Sequence, residues 1–347
     1  LWYHYSMKNQ DIHIGIVGAG NIGSTIYQLL TSTGSSYKIS IADQIENPNL
    51  LIPEHNYVKL EKDSTQFNQF VNGKTLIVNA LPYHQNINLY KACYEMGVPY
   101  FDLSEDNELD TFIETLTDIP FTMPHCGLAP GLSTVVANYL LKDIENPTSV
   151  KIRVGALSQN ASNKLRYYTS WSGEGLVNEY LGDCQLLENG KYNTADALTG
   201  YEKLTLDGKE YEAFNTSGGL GTFAKSLDGK YDSLNLNYKT LRRIGHHDYV
   251  DFLFNDLKIP QLELTSIFSR IPKTRKDEVI LYASASGKNM DDERTYLKVF
   301  RPQNINGRYL TAIEYTTAIG LLSMVELYLT NKIPRAGYVR QEDVLWS

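Results

Sequence analysis

The chain is poor in cysteine. Among its 347 residues only Cys93, Cys126 and Cys184 carry thiols, and no two of them form a Cys-x-x-Cys pair. That excludes a disulfide framework and a paired-thiolate metal site, and a reducing cytoplasm is the expected compartment. Long apolar runs are also missing. No stretch approaches the roughly 18 to 20 uninterrupted residues of a bilayer span, and no basic segment followed by an apolar one opens the chain, so no membrane partner is expected. Positive charge is in deficit: 32 Lys and Arg stand against 40 Asp and Glu, a formal net charge of −8. Nucleic acid is therefore not an expected partner either. No His-Glu-x-x-His or Gly-x-Ser-x-Gly pattern occurs, so zinc catalysis and serine hydrolysis lack support and no metal is expected.

What is present is the composition of a folded globular protein, 42% apolar and 21% charged. The length suits two domains of about 100 to 200 residues each. Leu1 to Ser6, ahead of Met7, read as an extension outside the fold. The 25 tyrosines are dispersed; they read as core and interface residues, with a homodimer as the expected assembly.

Ile12 to Val17 is a short, largely β-branched apolar run that enters a glycine-rich turn, and apolar residues then recur at Ile22, Ile26, Leu29 and Leu30. The pattern predicts strand, turn and helix. Within the turn, Gly18-Ala19-Gly20-Asn21-Ile22-Gly23 fits G-x-G-x-x-G. The first glycine allows the tight turn, the second lets a pyrophosphate approach the backbone, and the third lets helix and strand pack closely. The helix start offers free N–H groups to phosphate. A second strand, Tyr37 to Ala42, leads to Asp43, twenty residues beyond Gly23. A carboxylate there accepts hydrogen bonds from a ribose diol and repels a 2′-phosphate, so NAD is expected ahead of NADP.

The alternation continues through strands at Leu76 to Asn79, Val98 to Leu103 and Pro120 to Met123, with helices at Ile87 to Met96 and Leu109 to Leu116. Strands alternating with helices predict a parallel sheet covered on both faces, with ligands beyond the carboxyl ends of its strands. Ala80, Leu81, Pro82, Asp102, and the segment His125-Cys126-Gly127-Leu128-Ala129-Pro130-Gly131 follow such ends. Of these, Ala80, Leu81, Pro82 and Gly127 are expected to join Gly18, Gly20, Asn21, Ile22, Gly23 and Asp43 around the cofactor.

Gly127-Leu128-Ala129-Pro130-Gly131 followed by a helix, the Trp171 to Tyr180 stretch, Lys239 to His246, and Thr311 to Thr317 together resemble the saccharopine dehydrogenase-like family, and within it the lysine 6-dehydrogenases. The likeness runs over most of residues 12 to 339. It implies an α/β protein with a Rossmann parallel-sheet domain, a second α/β domain with a mixed sheet that holds the substrate, and a C-terminal helix returning to the first domain. The expected divisions are 7–130, 131–308 and 309–347. Val150 to Leu157, Leu165 to Trp171, Val279 to Ser286 and Thr295 to Phe300 read as strands of the second domain. Tyr309 to Leu329 reads as a long apolar helix lacking the length and hydropathy for a membrane span. The active site is expected in the cleft between the domains.

The resemblance also implies NAD-dependent oxidative deamination of an amino-acid side-chain amine. Saccharopine or carboxynorspermidine dehydrogenation of a secondary amine, and a non-catalytic NAD-binding regulator, are the alternatives. Such chemistry needs a group to take the amine's proton. Asp102 is a candidate from its place at a strand end, or else caps a local turn. Cys126 either handles a proton or is a small buried hydrophobe. His246 is a third candidate beside His247, and adjacent residues point different ways, so one of the two is structural. Arg243, by resemblance and in competition with Arg242, is expected to receive a substrate carboxylate. Trp171 and Glu174 are expected to offer an apolar wall and an ammonium anchor, or else to be a core residue and a first-turn acid.

Overall fold

The computed structural model describes residues 12–32, 34, 36–47, 52–60, 65–289 and 292–344. They fall into two compact units. The first comprises the described residues up to Cys126 together with Thr317–Arg340. It contains β1 (His13–Val17), α1 (Asn21–Ser32), β2 (Lys38–Asp43), β3 (Tyr57–Lys59), α2 (Thr65–Val71), β4 (Leu76–Asn79), α3 (Asn86–Met96), β5 (Tyr100–Asp102), α4 (Asn107–Glu114) and β6 (Thr122–Met123). The six strands form one sheet in the order β3-β2-β1-β4-β5-β6, every pairing parallel. Ile14, Ile16, Val17, Leu76, Ile77 and Val78 are wholly buried, as a parallel sheet with both faces covered requires. The strand order reverses between β1 and β4, and there the glycine turn sits.

The helices of this unit end where their sequence tells them to. Asp106 caps α4 by accepting from the Glu108 and Leu109 amides, the ordinary use of a carboxylate at a helix start. Gly97, at φ 66°, ends α3 in a left-handed turn.

The second unit comprises Gly127–Thr316 and the described residues from Gln341. Its elements are α5 (Leu132–Leu141), β7 (Pro147–Ser158), α6 (Gly173–Glu179), β8 (Asp183–Glu188), β9 (Lys191–Asp196), β10 (Glu202–Leu206), β11 (Lys209–Phe214), α7 (Phe223–Leu227), β12 (Asn235–Arg242), α8 (His246–Asp251), α9 (Gln261–Phe268), β13 (Asp277–Gly287), β14 (Arg294–Phe300), β15 (Gln303–Ile305) and β16 (Arg308–Leu310). An eight-stranded mixed sheet runs β10-β11-β12-β7-β13-β14, with β8 and β9 branching from β12. Alternate residues feed the two faces: Val279 and Leu281 join the cluster around Val136 and Phe223, whereas Ile280 joins Tyr180, Phe254 and Phe268. Period-two alternation puts successive side chains in different cores.

Helix α10 (Ala312–Leu329) begins in the second unit and belongs to the first from Thr317 onward. Tyr328 packs there on Phe101 and Phe121, with ring centroids 5.7 and 4.4 Å apart, and the following chain lies along β6 through a Thr122 amide bond to the Gly337 carbonyl. The return of the C-terminal helix is as expected.

Three expectations change. The chain divides after Cys126, not after 130, and the first turn of α10 stays with the second unit because the buried Asp277 accepts from the Ala312 and Ile313 amides, at 2.7 and 3.0 Å. Leu165 to Trp171 form no strand. The Asn163 side chain binds both the amide and the carbonyl of Tyr167, and the Thr169 hydroxyl does the same for Trp171. Side chains thereby replace the ladder partners a strand would need. Finally, α10 is 18 residues long with mean hydropathy 1.2, long and apolar enough to cross a bilayer by those measures, while 61% of it is buried within the protein. A helix apolar around its whole circumference is what packing on several sides selects.

Replacing Asp277 with alanine leaves two buried N–H groups without an acceptor. Urea denaturation of Asp277→Ala should show a loss of about 1 to 3 kcal/mol per orphaned group; an unchanged midpoint would contradict this account of the junction.

Candidate active site

The glycine turn closes through contacts too tight for any side chain. Gly18 adopts φ 103°, and a Cβ there would lie 2.6 Å from the Ala80 carbonyl oxygen. A Cβ on Gly23 would lie 1.8 Å from the Gly18 carbonyl oxygen, so only glycine lets α1 start this close to β1. At Gly20 the result is opposite: nothing lies within 4 Å. Two positions are glycine because the protein fills the space, and the middle one faces open space that a pyrophosphate could enter. Asn21 and Ile22 begin α1 directly beyond it, the former exposed and the latter half-buried.

Asp43 ends β2 beside this turn. One carboxylate oxygen accepts from the Ala19 amide at 2.7 Å, the other from the Gln44 amide at 2.6 Å. The side chain is half-buried, and its oxygens keep lone pairs for further donors. On the other side of β1, the Ala80 amide binds the Val17 carbonyl and the Leu81 amide binds the Asn79 side chain. Ala80 and Leu81 are thus fixed against the glycine turn, with Pro82 next in the chain. These residues fit a dinucleotide: open space at Gly20, a helix start and a carboxylate lie together at one switch point.

Behind β4 and β5 lies a polar network that sequence reading did not find. The Asn79 amide donates to Asn86 and to the Tyr100 hydroxyl, both at 2.8 Å, and Tyr100 donates to Asp102 at 2.9 Å. The Ser104 amide also donates to Asp102, at 2.9 Å, with the Ser104 hydroxyl 3.5 Å from the same oxygen. Burial pushes the Asp102 carboxyl up from 3.8 to about 6, against the pull of the His125 charge and of the hydrogen bonds from Tyr100 and Ser104. Asp102 caps no helix, a role that belongs to Asp106, but by accepting from the Ser104 amide two residues on it does cap the local turn.

His125 stands beside it in a left-handed backbone conformation, φ 63°. Its Nε2 lies 2.9 Å from Asp110, which also accepts from the Tyr338 hydroxyl at 2.8 Å, while its buried Nδ1 has no hydrogen-bond partner among the described residues. Burial works against the imidazolium, but hydrogen bonding and attraction to Asp110, with Asp102 and Glu105 nearby, raise it from 6.5 to about 9. Cys126 is buried, with its amide on the Asp102 carbonyl at 2.8 Å and its thiol directed to the Met123 carbonyl at 3.2 Å. Gly127, the next residue, accepts from the Leu132 amide at the start of α5.

In the second unit, Arg242 and Arg243 separate. Arg242 is enclosed, bonded to Glu179, Tyr180, Thr240 and the Leu241 carbonyl. Arg243 is partly exposed, lies over the Tyr211 ring, bonds to Glu278 at 2.5 Å and lines a pocket of about 300 Å³. His246 is fully buried: Nδ1 donates to the Leu165 carbonyl and Nε2 accepts from the Tyr180 hydroxyl, both at 2.9 Å. Burial, with Arg242 close by, lowers it to about 3. Both ring nitrogens of His246 are thus engaged within the protein, and burial holds its proton affinity well below the usual histidine range. His247 binds the Leu198 carbonyl at 2.7 Å. Trp171 donates to the Tyr167 hydroxyl at 2.8 Å and is half-buried. Glu174 is exposed in the first turn of α6, where Ser172 supplies the cap.

The expected cofactor residues of the first unit, with Asp102 and Cys126, thus gather at one edge of its parallel sheet. Trp171 and His246 share Tyr167 as a neighbour in the second unit, and Arg243 lines the pocket. His125 was singled out only as a strand-end residue; its pairing with Asp110, together with Asn79, Tyr100 and the pocket-lining Arg166, went unnoticed because nothing local in the sequence pairs them.

Residues 14–119 match the family model of the saccharopine dehydrogenase NADP binding domain, and residues 127–347 that of the saccharopine dehydrogenase C-terminal domain. Among solved structures, the apo saccharopine dehydrogenase (L-Glu forming) of Saccharomyces cerevisiae is 14% identical, with TM-score 0.74, covering 95% of this chain and 94% of that one. An engineered D-amino acid dehydrogenase bound to NADP+ is 9% identical, with TM-score 0.50, covering 97% and 95%. At these identities the likeness is one of fold.

The raised His125 value has a stability consequence. The folded state holds this proton more tightly than the unfolded chain, so the stabilisation is complete below pH 6.5 and is lost as pH rises through about 9. Unfolding free energies from urea titrations across that window should fall in the native protein, at no more than about 1.4 kcal/mol per pH unit, and His125→Gln should remove this slope. Parallel pH profiles for the two proteins would refute the pairing.

Proposed function

The chain belongs to the saccharopine dehydrogenase family, and from that premise we propose that it oxidises the amine-bearing carbon of an amino-acid side chain with NAD, as a lysine 6-dehydrogenase does. The observation that carries this reading is a buried carboxyl, Asp102, at the carboxyl edge of the same sheet whose glycine turn offers an open phosphate cradle. Gly18, Gly20 and Gly23 with the start of α1 would hold the pyrophosphate, and Asp43 the adenosine ribose. Although the matching family model carries NADP in its description, a carboxylate at Asp43 opposes a 2′-phosphate by charge and favours a free diol by hydrogen bonding. A bound nicotinamide supplies the hydride acceptor.

Everything else falls to the chain's own side chains. A protonated amine has no lone pair with which to form a C=N bond, so a proton must leave before the hydride does. Asp102, near half-ionised around pH 6, is suited to that exchange. Its oxygen is enclosed, and the half-buried Ser104 hydroxyl at 3.5 Å is the group through which the proton would reach it. Water then adds to the C=N carbon and ammonia leaves, giving a semialdehyde. Arg243 would receive the carboxylate and Trp171 would wall the aliphatic chain, with Glu174 as the outer anchor for an ammonium group. Cys126 packs against the Asp102 backbone.

Reduction of NAD should be measured spectrophotometrically with L-lysine, saccharopine, other diamino acids and polyamines. Turnover is expected with L-lysine above the others, and Asp102→Asn should lower kcat by about 10²- to 10⁴-fold while nucleotide affinity is kept. Failure of every amine, or faster turnover of saccharopine, would overturn the substrate assignment; an unimpaired Asp102→Asn enzyme would overturn the proton acceptor.

A further inference from the structure

In the second unit, β7 and β12 are parallel neighbours, paired from Asn235 opposite Ser149 to Thr240 opposite Val154. Parallel strands bring their carboxyl ends to the same edge, and loops leaving that edge are where open sheets bind ligands. The pocket lies there. Its lining is Ser158, which ends β7, the following Gln159, Asn160 and Ala161, the pair Arg243 and Ile244 just beyond β12, and Arg166.

The two arginines differ in how far their charge is already spent. Arg243 is bonded to Glu278, a carboxylate only 3% exposed, which needs that counter-charge. Its guanidinium is oriented by this bond and by the Tyr211 ring 5.1 Å away. Arg166 is exposed, and no ion pair engages it among the described residues. Its position is nevertheless set: the backbone turns left-handed at φ 55°, the Arg166 amide binds the Asn163 carbonyl at 3.0 Å, and the Asn163 side chain holds Tyr167 on both sides. A non-glycine residue in that conformation is uncommon and is kept here by the hydrogen bonds around it.

The pocket therefore presents two guanidinium groups but one uncompensated positive charge. That matches one carboxylate, which planar guanidinium forks grip through paired N–H donors, better than a phosphate dianion. A volume of about 300 Å³ leaves room for the adjoining aliphatic carbons. We propose that this pocket receives the substrate's carboxylate between Arg243 and Arg166, and that Arg166 is the specificity-determining residue that restricts turnover to carboxylated amines. The proposal rests on the amine-oxidising reading above and adds which amines qualify. Simple diamines, having the same reacting carbon but no anion, gain nothing from the pocket.

The test compares L-lysine with 1,5-diaminopentane, which differs only by the missing carboxylate, in the native enzyme, R166Q and R166K. R166Q should reduce the preference for L-lysine, as a ratio of kcat/KM values, at least tenfold, through KM for L-lysine rather than kcat, and R166K should recover part of it. An unchanged ratio would overturn the proposal. Should the native enzyme oxidise neither amine, the functional reading fails and the pocket is judged by calorimetry of glutarate binding to cofactor-free protein. Binding at least tenfold weaker in R166Q supports the carboxylate receptor; equal binding, or none to the native protein, refutes it.

Discussion

The first unit depends on one close approach, the start of α1 against the turn that leaves β1. At Gly23 there is no room for even a methyl group beside the Gly18 carbonyl, and at Gly18 none beside Ala80. Steric exclusion of this kind costs far more than any single polar contact can return, so the geometry follows from the two glycines. Once α1 is seated, its first N–H groups face the open space at Gly20. Asp43 is then drawn in by the Ala19 amide. Cradle, helix end and carboxylate are thus consequences of one packing constraint.

Buried charge organises the remainder. In each unit ionised groups removed from water are met by a partner in good geometry: His125 by Asp110, Arg242 by Glu179 and Tyr180, Glu278 by Arg243. Such pairs add little net stability, because desolvation offsets most of the attraction, but an unpaired member would be costly and so each partner is held in place. The effect on function is one of fixed orientation. Asp110 raises the proton affinity of His125, which stands beside Asp102, and Glu278 is bonded to Arg243. Asp102 differs in meeting its burial mainly with hydrogen bonds from Tyr100 and Ser104 and with a raised proton affinity.

Legibility in the sequence followed the range of the interaction concerned. The glycine turn, Asp43 and the strands β1, β2, β4 and β5 were readable because backbone geometry fixes their spacing, and Asp102 was readable as the residue at a strand end. The His125–Asp110 pair spans 15 residues with no periodic pattern to join its members. Arg166 owes its place to an asparagine-built turn within a segment whose aromatic, apolar composition imitates a strand. Within the unread antiparallel region β8 to β11, β9, Lys191–Asp196, is exposed almost throughout and lacks an apolar alternation. The surroundings of His246 went unread because a histidine's burial and its two hydrogen-bond partners are tertiary facts. The start of α10 likewise depends on Asp277, far away in sequence.

The central proposal is that Asp43 and the open cradle at Gly20 would select a nucleotide whose adenosine ribose is not phosphorylated. Calorimetric titration of NAD and of NADP into the native protein and into Asp43→Ser addresses it without requiring any substrate to be known. The account expects NAD to bind at least tenfold more tightly than NADP, and Asp43→Ser to erase or reverse that difference. Tighter binding of NADP by the native protein, or no binding of either, would contradict it.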